Sequence, residues 1–399
     1  MAENKEKKVL NVPNLRFPEF EGEWEKCKLG DVAMVVGGGT PDTNNHKYWN
    51  GDIQWFTPSE IGRDKYVTNS LRTISEEGLN KSSAKLLPIG TILLSSRATV
   101  GECSINKVEC TTNQGFQSLI PKEYFSKEFV FYLMQTKRKE LIRKSCGSTF
   151  LEISANEVRK IKIAVPTSKE QEKISKLLAL LDERISTQNK IIEDLKKLKS
   201  AISKQVFVQI PNEWNRLDTL FSKGKAGGTP TSTNKDYYNG DIPFLSINDI
   251  TKQGKYIKYT ENHLSQSGLE NSSAWIIPKY SLIMSMYASV GLVTINEIPI
   301  ATSQAMFAMQ LKDTNLLDYL YYYLSHFRYR HLYKYIETGT QSNINADTVR
   351  RIMIPNYGHS RNIEIASTLR SIDAKIDNEL SILELLNGQK QYLLRQMFI

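Results

Sequence analysis

Side chains that could read nucleic-acid bases stand at matching places in two halves of this sequence. Arg97 in the first half corresponds to Tyr287 in the second, and Ser59 corresponds to Asn248. Arginine donates two hydrogen bonds to a guanine edge, whereas asparagine or glutamine pairs with adenine. Exchanges of this kind would alter a sequence preference. The pattern therefore predicts two related base-reading surfaces.

The candidate contact residues lie in the loops that follow predicted strands. In the first half they are Lys47, Thr57, Ser59, Arg63, Lys65, Arg97 and Gln114, and in the second half Lys235, Ser246, Asn248, Lys252, Tyr287 and Gln304. The lysines are expected to hold phosphates, which adds affinity without sequence information. Arg97 is the first candidate for base reading, with a structural salt bridge or a phosphate contact as the alternatives.

The segments that position these residues occur twice in the sequence. YWNGDIQW at 48–55 returns as YYNGDIPF at 237–244, and ten of 24 residues are identical between 78–101 and 268–291. The offset drifts only from 189 to 191, so the halves form a tandem duplication. A period of this size is far too long for a solenoid, and each unit is expected to be a domain in its own right.

Two other features have both a functional and a structural interpretation. The pairs Gly38-Gly39 and Gly227-Gly228 could let the backbone approach a phosphate, or could serve turns that need positive φ. The aromatic and basic run at 319–336 could stack on bases, although tyrosine and leucine at helical spacing more often face a core.

Composition within each half predicts an α/β class with two tandem homologous mixed α/β domains. Scattered Gly and Pro separate short β-branched and aromatic runs such as 91–96 and 281–286. The predicted division is an N-terminal tail at 1–18, a first α/β domain at 19–166, a long helix at 167–208, a second α/β domain at 209–357 and a second long helix at 358–399.

Each half ends in a segment with a heptad pattern, and each such helix would be about 60 Å long. Its seam is the predicted helix and subunit interface: Ile174, Leu178, Leu181, Ile185, Ile192, Leu195 and Ile202, and then Ile365, Leu369, Ile372, Ile376, Leu383, Leu386 and Leu393. Antiparallel packing of the two helices, with a globular domain at each end of a rod, is the simplest arrangement. The alternative is that each helix lies over its own domain. Polar residues interrupt the seam, and could fix register or mark where a further helix docks; they are Gln188, Lys199, Glu379 and Lys390.

Charge and composition limit the classes of partner that the chain could bind. The formal charge of +9, from 52 basic and 43 acidic residues, favours nucleic acid first and an anionic membrane surface second, although many basic proteins bind neither. The four cysteines share no CxxC spacing, which fits a reducing compartment better than zinc or disulfides. Neither a signal peptide nor a membrane span is recognisable, so a cytoplasmic protein is expected.

Known catalytic patterns are missing from the sequence. There is no glycine-rich methyltransferase turn with an acidic-aromatic tetrapeptide, no GxxxxGK[ST] phosphate loop and no metal spacing among the five histidines. We therefore predict neither catalytic residues, nor a metal site, nor a bound cofactor in this chain. A coiled-coil scaffold without a DNA role is the competing class, and it leaves the paired basic domains unexplained.

The whole set of repeated blocks resembles the specificity subunit of type I restriction-modification systems. The resemblance rests on PNLRFPEFEGEW at 13–24, both GGTP and NGDI blocks, the ATVG and ASVG strand ends and the two heptad helices. It covers nearly the whole chain from about Asn14. It implies two target-recognition domains, each reading one half of a bipartite double-stranded DNA site, with the helices spacing them.

The same resemblance implies partners and further contacts. Family members recruit two adenine-methylating subunits that use S-adenosylmethionine, and restriction subunits that use ATP and Mg to translocate and cut DNA. The segments 146–150 and 338–342 resemble the polar loop that follows the last domain helix in this family. It implies DNA contacts at Ser148 and Thr149, and with better agreement to the pattern at Thr340 and Gln341.

Overall fold

A computed structural model describes residues 10–147, 151–334 and 343–399. They pack into two compact units. The first unit holds the chain up to Asn189 together with Ile382–Ile399, and the second unit holds Lys190–Ser381. Each unit thus combines an α/β domain with parts of both long helices.

The first unit is built on a five-stranded sheet, a three-stranded sheet and a two-stranded ribbon. Its strands are β1 (Glu25–Lys28), β2 (Ala33–Gly37), β3 (Trp49–Phe56), β4 (Tyr66–Val67), β5 (Arg72–Ile74), β6 (Ile92–Leu94), β7 (Cys103–Asn106), β8 (Cys110–Thr112), β9 (Gln117–Pro121) and β10 (Lys162–Val165). Its helices are α1 (Leu29–Val32), α2 (Glu76–Asn80), α3 (Lys127–Lys144), α4 (Ala155–Arg159) and the start of α5 (Ser168–Phe207). The strand orders are β2-β9-β6-β7-β4, β5-β3-β8 and β1-β10.

The second unit repeats this plan strand for strand. Its strands are β11 (Glu213–Arg216), β12 (Phe221–Ala226), β13 (Tyr238–Leu245), β14 (Tyr256–Ile257), β15 (Asn262–Leu264), β16 (Leu282–Ser285), β17 (Val293–Asn296), β18 (Ala301–Thr302), β19 (Met306–Leu311) and β20 (Met353–Asn356). Its helices are α6 (Ile247–Gln253), α7 (Gln266–Glu270), α8 (Leu317–Arg330), α9 (Ala346–Arg350) and most of α10 (His359–Gln396). The orders β12-β19-β16-β17-β14, β15-β13-β18 and β11-β20 match those of the first unit. The predicted tandem mixed α/β fold is confirmed.

The repeated NGDI block forms a bulge in the three-stranded sheet of each unit. Trp49 and Ile53 both lie opposite Ile74, so the intervening residues bulge out of β3. Asn50 holds the positive φ of 60° that this bulge needs, a conformation that asparagine tolerates better than most residues. A side chain at Gly51 would come within 2.5 Å of the Ser75 backbone. The block recurs because each sheet needs the same bulge.

The end of a long helix completes the hydrophobic core of each unit. In the first unit the ring of Phe398, just after α10, stacks on Phe129 of α3 with centroids 5.2 Å apart. In the second unit Phe207, at the end of α5, packs edge-on against Tyr319 and Tyr323 of α8. These tyrosines are buried, as is Tyr322, so the structural interpretation of the aromatic run is correct there.

Within each unit, an ion pair joins the two long helices. Asp182 of α5 lies 2.7 Å from Lys390 of α10 in the first unit, and Lys199, later in α5, lies 2.5 Å from Asp373, earlier in α10, in the second. All the predicted apolar seam positions are buried or half-buried. The polar interruptions Lys199 and Lys390 each meet a carboxylate of the other long helix within one unit, which is consistent with a role in register. Contact of the seam with partner subunits stays a prediction.

We expect Phe398→Ala to destabilise the first unit by about 3–5 kcal/mol, since it removes a buried ring from a packed core. Phe207→Ala is expected to do the same to the second unit. Hydrogen exchange of the amides in β6 and β16 measures the opening free energy of each unit separately. Leu385→Ala, at an exposed position on α10, is the control. Equal exchange rates in Phe398→Ala and the control would contradict the assigned role of the ring.

Candidate nucleic-acid interface

Four loops meet at one face of the first unit. Gly39 N–H donates to the Thr112 carbonyl at 2.8 Å, Asn113 N–H to Phe56 at 3.0 Å, and Ser96 N–H to Gly115 at 2.8 Å. The loops after β2, β3, β6 and β8 are thereby tied together. We call the residues 38–40, 57–59, 95–99 and 113–115 the first loop face.

The second unit has the same arrangement. Gly228 N–H donates to Thr302 at 2.9 Å, and Met286 N–H donates to Ala305 at 2.7 Å. The parallel pairing of β13 with β18 brings the end of β13 beside these loops, as β3 and β8 do in the first unit. Residues 227–229, 246–248, 285–289 and 303–305 are the second loop face.

The duplicated glycine pairs allow this close approach of the loops. A Cβ on Gly38 would lie 2.1 Å from the carbonyl oxygen of Asn113, and one on Gly227 would lie 2.0 Å from that of Thr302. Neither pair has the positive φ that one sequence interpretation required. That interpretation is wrong, because what these positions require is the absence of a side chain where two loops touch.

Each loop face carries a threonine–glutamine pair. The Thr40 hydroxyl donates to Gln114 Oε1 at 2.5 Å, and the Thr229 hydroxyl donates to Gln304 Oε1 at 2.5 Å. Both glutamines are exposed, and this bond orients their amide groups. The threonines were missed as candidates, although the repeated GGTP block contains them.

Arg97 and Tyr287 occupy the same strained turn in the two units. The following residues, Ala98 and Ala288, have φ of 56° and 58°, an unfavourable conformation for alanine. The Ser95 hydroxyl closes the first turn by donating to the Arg97 carbonyl at 2.7 Å. Both tips are exposed, and Arg97 Nη2 lies 2.8 Å from Glu152. The salt bridge named as the alternative for Arg97 is therefore present.

The predicted residues after β3 and β13 have partners within the chain. The Thr57 hydroxyl donates to Glu60 and the Ser246 hydroxyl to Asp249, both at 2.6 Å, at the starts of short helical turns. Ser59 is exposed beside Thr57.

One carboxylate holds two candidates on α6. Glu261 accepts from Asn248 Nδ2 at 2.8 Å and forms an ion pair with Lys252. The hydrogen bond from Lys252 lowers the pKa of Glu261, and the hydrogen bond to Glu261 raises the pKa of Lys252. The Glu261 carboxylate thus orients the side chains of both Asn248 and Lys252.

The remaining candidates lie elsewhere. Lys47 and Lys235 are exposed on matching one-turn helices, and Arg63 is exposed in the loop before β4. Ser148, Thr149, Thr340 and Gln341 lie outside the described residues. The DNA contacts assigned to all these residues stay predictions.

Lys65 belongs to a polar network and not to the loop face. Its ammonium donates to the Tyr132 hydroxyl at 2.9 Å, and that hydroxyl donates to Asp182 of α5 at 2.6 Å. Asp182 also pairs with Lys390 of α10. Burial lowers the pKa of Lys65, whereas burial followed by the Asp182 hydrogen bond raises the pKa of Tyr132. The predicted phosphate contact of Lys65 would compete with these bonds.

The same network occurs in the second unit. Lys255 donates to the Tyr322 hydroxyl at 3.0 Å, that hydroxyl donates to Asp373 of α10 at 2.7 Å, and Lys199 of α5 pairs with Asp373. We call Lys65–Tyr132–Asp182–Lys390 and Lys255–Tyr322–Asp373–Lys199 the helix clamps. Each clamp joins a domain strand end, a domain helix and both long helices.

No three His, Cys, Asp or Glu side chains converge as a metal site within residues 10–147, 151–334 and 343–399. Over the same ranges, no helix is both long and apolar enough to cross a membrane.

Comparison with known families decides the identity of the fold. Residues 21–197 and 211–387 each match the family model of the type I restriction modification DNA specificity domain. The two matches cover most of the chain. The chain belongs to this family. The resemblance proposed from the repeated blocks is confirmed, and each specificity domain takes in a loop face and much of one long helix.

Named relatives agree with the family assignment. The chain is 32% identical over 254 residues to the type I restriction enzyme MjaIX specificity subunit of Methanocaldococcus jannaschii, covering 58% of this chain and 59% of the relative. It is 31% identical to the EcoR124I/EcoR124II specificity subunit of Escherichia coli, covering 45% of each chain. The match thus spans about half the length of these curated relatives.

Solved structures extend the likeness of fold over nearly the whole chain. The type I restriction-modification S subunit from M. genitalium superposes with a TM-score of 0.59 at 15% identity, covering 97% of this chain and 99% of the other. A chain from a study of complex assembly and conformational transition of the type I restriction-modification system gives a TM-score of 0.65 at 16% identity, covering 94% and 97%.

Removing the carboxylate charge from a helix clamp should loosen its unit. Asp182→Asn leaves Lys390 half-buried without its counter-charge, and we expect a loss of about 1–3 kcal/mol of unfolding free energy. Asp373→Asn should act alike in the second unit. Asp194→Asn, which removes an exposed carboxylate of α5, should change stability by less than about 0.5 kcal/mol. Urea denaturation compares the variants, and an Asp182→Asn effect as small as the control would refute the clamp.

Proposed function

We propose that this chain is the DNA-specificity subunit of a type I restriction-modification complex. Each loop face reads one half of a bipartite, asymmetric site in double-stranded DNA. The observation that carries this proposal is the duplicated framework with unlike tips. The glycine contacts, the threonine–glutamine pair and the strained turn recur in both units, while Arg97 faces the solvent in one and Tyr287 in the other. A repeat of this kind reads two different half-sites.

The charge of the chain supports binding to a polyanion. With a formal charge of +9, the phosphate backbone supplies affinity that is independent of sequence. Exposed lysines such as Lys47 and Lys235 contribute to this term, whereas Gln114 and Gln304, whose amides are oriented by threonine hydroxyls, suit base edges. A scaffold without a DNA role would have no use for two oriented polar surfaces.

The long helices bind the partner subunits and set the distance between the two half-sites. Their register, fixed by the helix clamps, sets the unspecified gap between the half-sites. Two methyltransferase subunits bind, one for each repeat, and restriction subunits that translocate and cut DNA join the complex. S-adenosylmethionine, ATP and Mg belong to those subunits. This chain supplies recognition and no catalytic group.

The test is co-expression of this chain with the matching methyltransferase subunit in a methylation-free host, followed by mapping of methyladenine. The expected result is a bipartite motif with a fixed gap, lost when this chain is omitted. Methylation that is unchanged without the chain would refute the specificity role and favour the scaffold function. Should the pair methylate nothing, DNA binding by the purified pair decides, because a specificity subunit must bind duplex DNA.

A further inference from the structure

Glu152 is the acidic residue that touches the first loop face at its tip. Its backbone forms an antiparallel bridge with Arg97, and the next residue, Ile153, donates its N–H to the Ser96 carbonyl at 3.1 Å. The Glu152 carboxylate lies 2.8 Å from Arg97 Nη2, and both side chains are nearly half exposed. Backbone and side chain thus join the same two residues.

The ion pair between Arg97 and Glu152 adds little to the stability of the fold. Exposed ion pairs contribute little to folding because solvent screens them and two flexible side chains must be ordered. A carboxylate at a surface that meets phosphates also weakens the attraction to DNA. A glutamate at this position therefore has a role other than stabilising the fold, and orienting the guanidinium of Arg97 is such a role.

The contact leaves the guanidinium able to read a base. The ion pair uses Nη2, and the planar group has further N–H donors on its other nitrogens. Guanine presents two acceptors, O6 and N7, which match two such donors. An arginine held by a carboxylate on one side loses less rotational freedom when it binds on another.

The backbone of Arg97 is held as firmly as its side chain. Thr99 N–H and the Ser95 hydroxyl both donate to its carbonyl, at 2.6 and 2.7 Å, and the next residue keeps the strained φ of 56°. The tip is therefore prearranged before any ligand binds.

The second unit provides an internal comparison. Its turn is closely similar, since Ala288 has φ of 58° and Ile344 N–H donates to the Met286 carbonyl at 3.0 Å. One bond differs, because the Ser285 hydroxyl donates to the Ser289 carbonyl and not to that of Tyr287. Yet Tyr287 replaces Arg97, and Asn343 replaces Glu152. Both members of the charged pair change together on a closely similar backbone, so the pair is the main chemical difference between the two tips.

We propose that Glu152 is the positioning residue for Arg97, and that the two together read one guanine in one half-site. This inference rests on the proposed function, because it assigns a specificity role within the first loop face. Glu152 makes no base contact in this account. It holds the guanidinium plane at the angle that a guanine edge requires.

The experiment uses the full chain in complex with its methyltransferase subunit. Mapping of methyladenine with the wild-type complex first defines the motif. Methylation that is unchanged when this chain is omitted would refute the proposed function rather than this inference. Competition binding then uses duplexes in which each base pair of the motif is replaced in turn. The variants are Glu152→Ala, Glu152→Gln, Arg97→Ala and the double variant. Glu157→Ala is the matched control, because it removes an exposed carboxylate in α4, a few residues from Glu152.

We expect Arg97→Ala and Glu152→Ala to lower discrimination at the same guanine by roughly tenfold, with other positions unchanged. The double variant should be no worse there than Arg97→Ala, because the two residues act as one reader. Glu152→Gln, which keeps an oxygen acceptor, should retain part of the discrimination. Binding to unrelated duplex should not weaken when the carboxylate is removed.

Four results would overturn the inference. One is an unchanged profile for Glu152→Ala where Arg97→Ala changes it. Another is a loss at a different base pair for each variant. The third is an equal loss at every position in both half-sites, which is the signature of a structural role. A matching effect in Glu157→Ala would also count against the pair, since that side chain does not contact Arg97.

Discussion

An aspartate shared between a domain and two helices is the contact on which each unit depends. Asp182 and Asp373 each accept a hydrogen bond from a domain tyrosine and an ion pair from a lysine of the other long helix. Half-buried charges of this kind are costly to leave unpaired, so strand, domain helix and helix pair must meet in one register. The aromatic ends Phe398 and Phe207 then complete each core. Each α/β domain is thereby fixed to both long helices.

Because the core beneath each loop face is fixed in this way, the side chains at the loop tips can differ between the two units. The backbone contacts of the loop faces are made by glycines, carbonyls and a strained alanine, and they recur in both units. The side chains at the tips take no part in that scaffold, except through pairs such as Arg97 with Glu152. Side chains at the tips can therefore change with little effect on the core.

The fold can be predicted from local patterns, because hydrophobic periodicity and repeated blocks can be recognised in the sequence itself. The heptad seam predicted two long helices, and the duplicated blocks predicted two alike domains. Contacts between residues far apart in the chain were not visible. Thr40 meets Gln114 at a separation of 74 residues, and Lys65 meets Tyr132 at 67. In the sequence, Lys65 therefore resembles any exposed lysine, although a tertiary hydrogen bond engages it, and no sequence pattern links Glu152 to Arg97. The glycine pairs do not have positive φ, and only packing shows that they lack room for a Cβ.

The central claim is that each unit reads its own half of the site. The direct measurement replaces residues 1–145 with the corresponding segment of another family member, and maps methyladenine made by the complex in a methylation-free host. This account predicts a motif in which one half-site changes while the other half-site and the gap stay the same. A motif in which both half-sites change would contradict it.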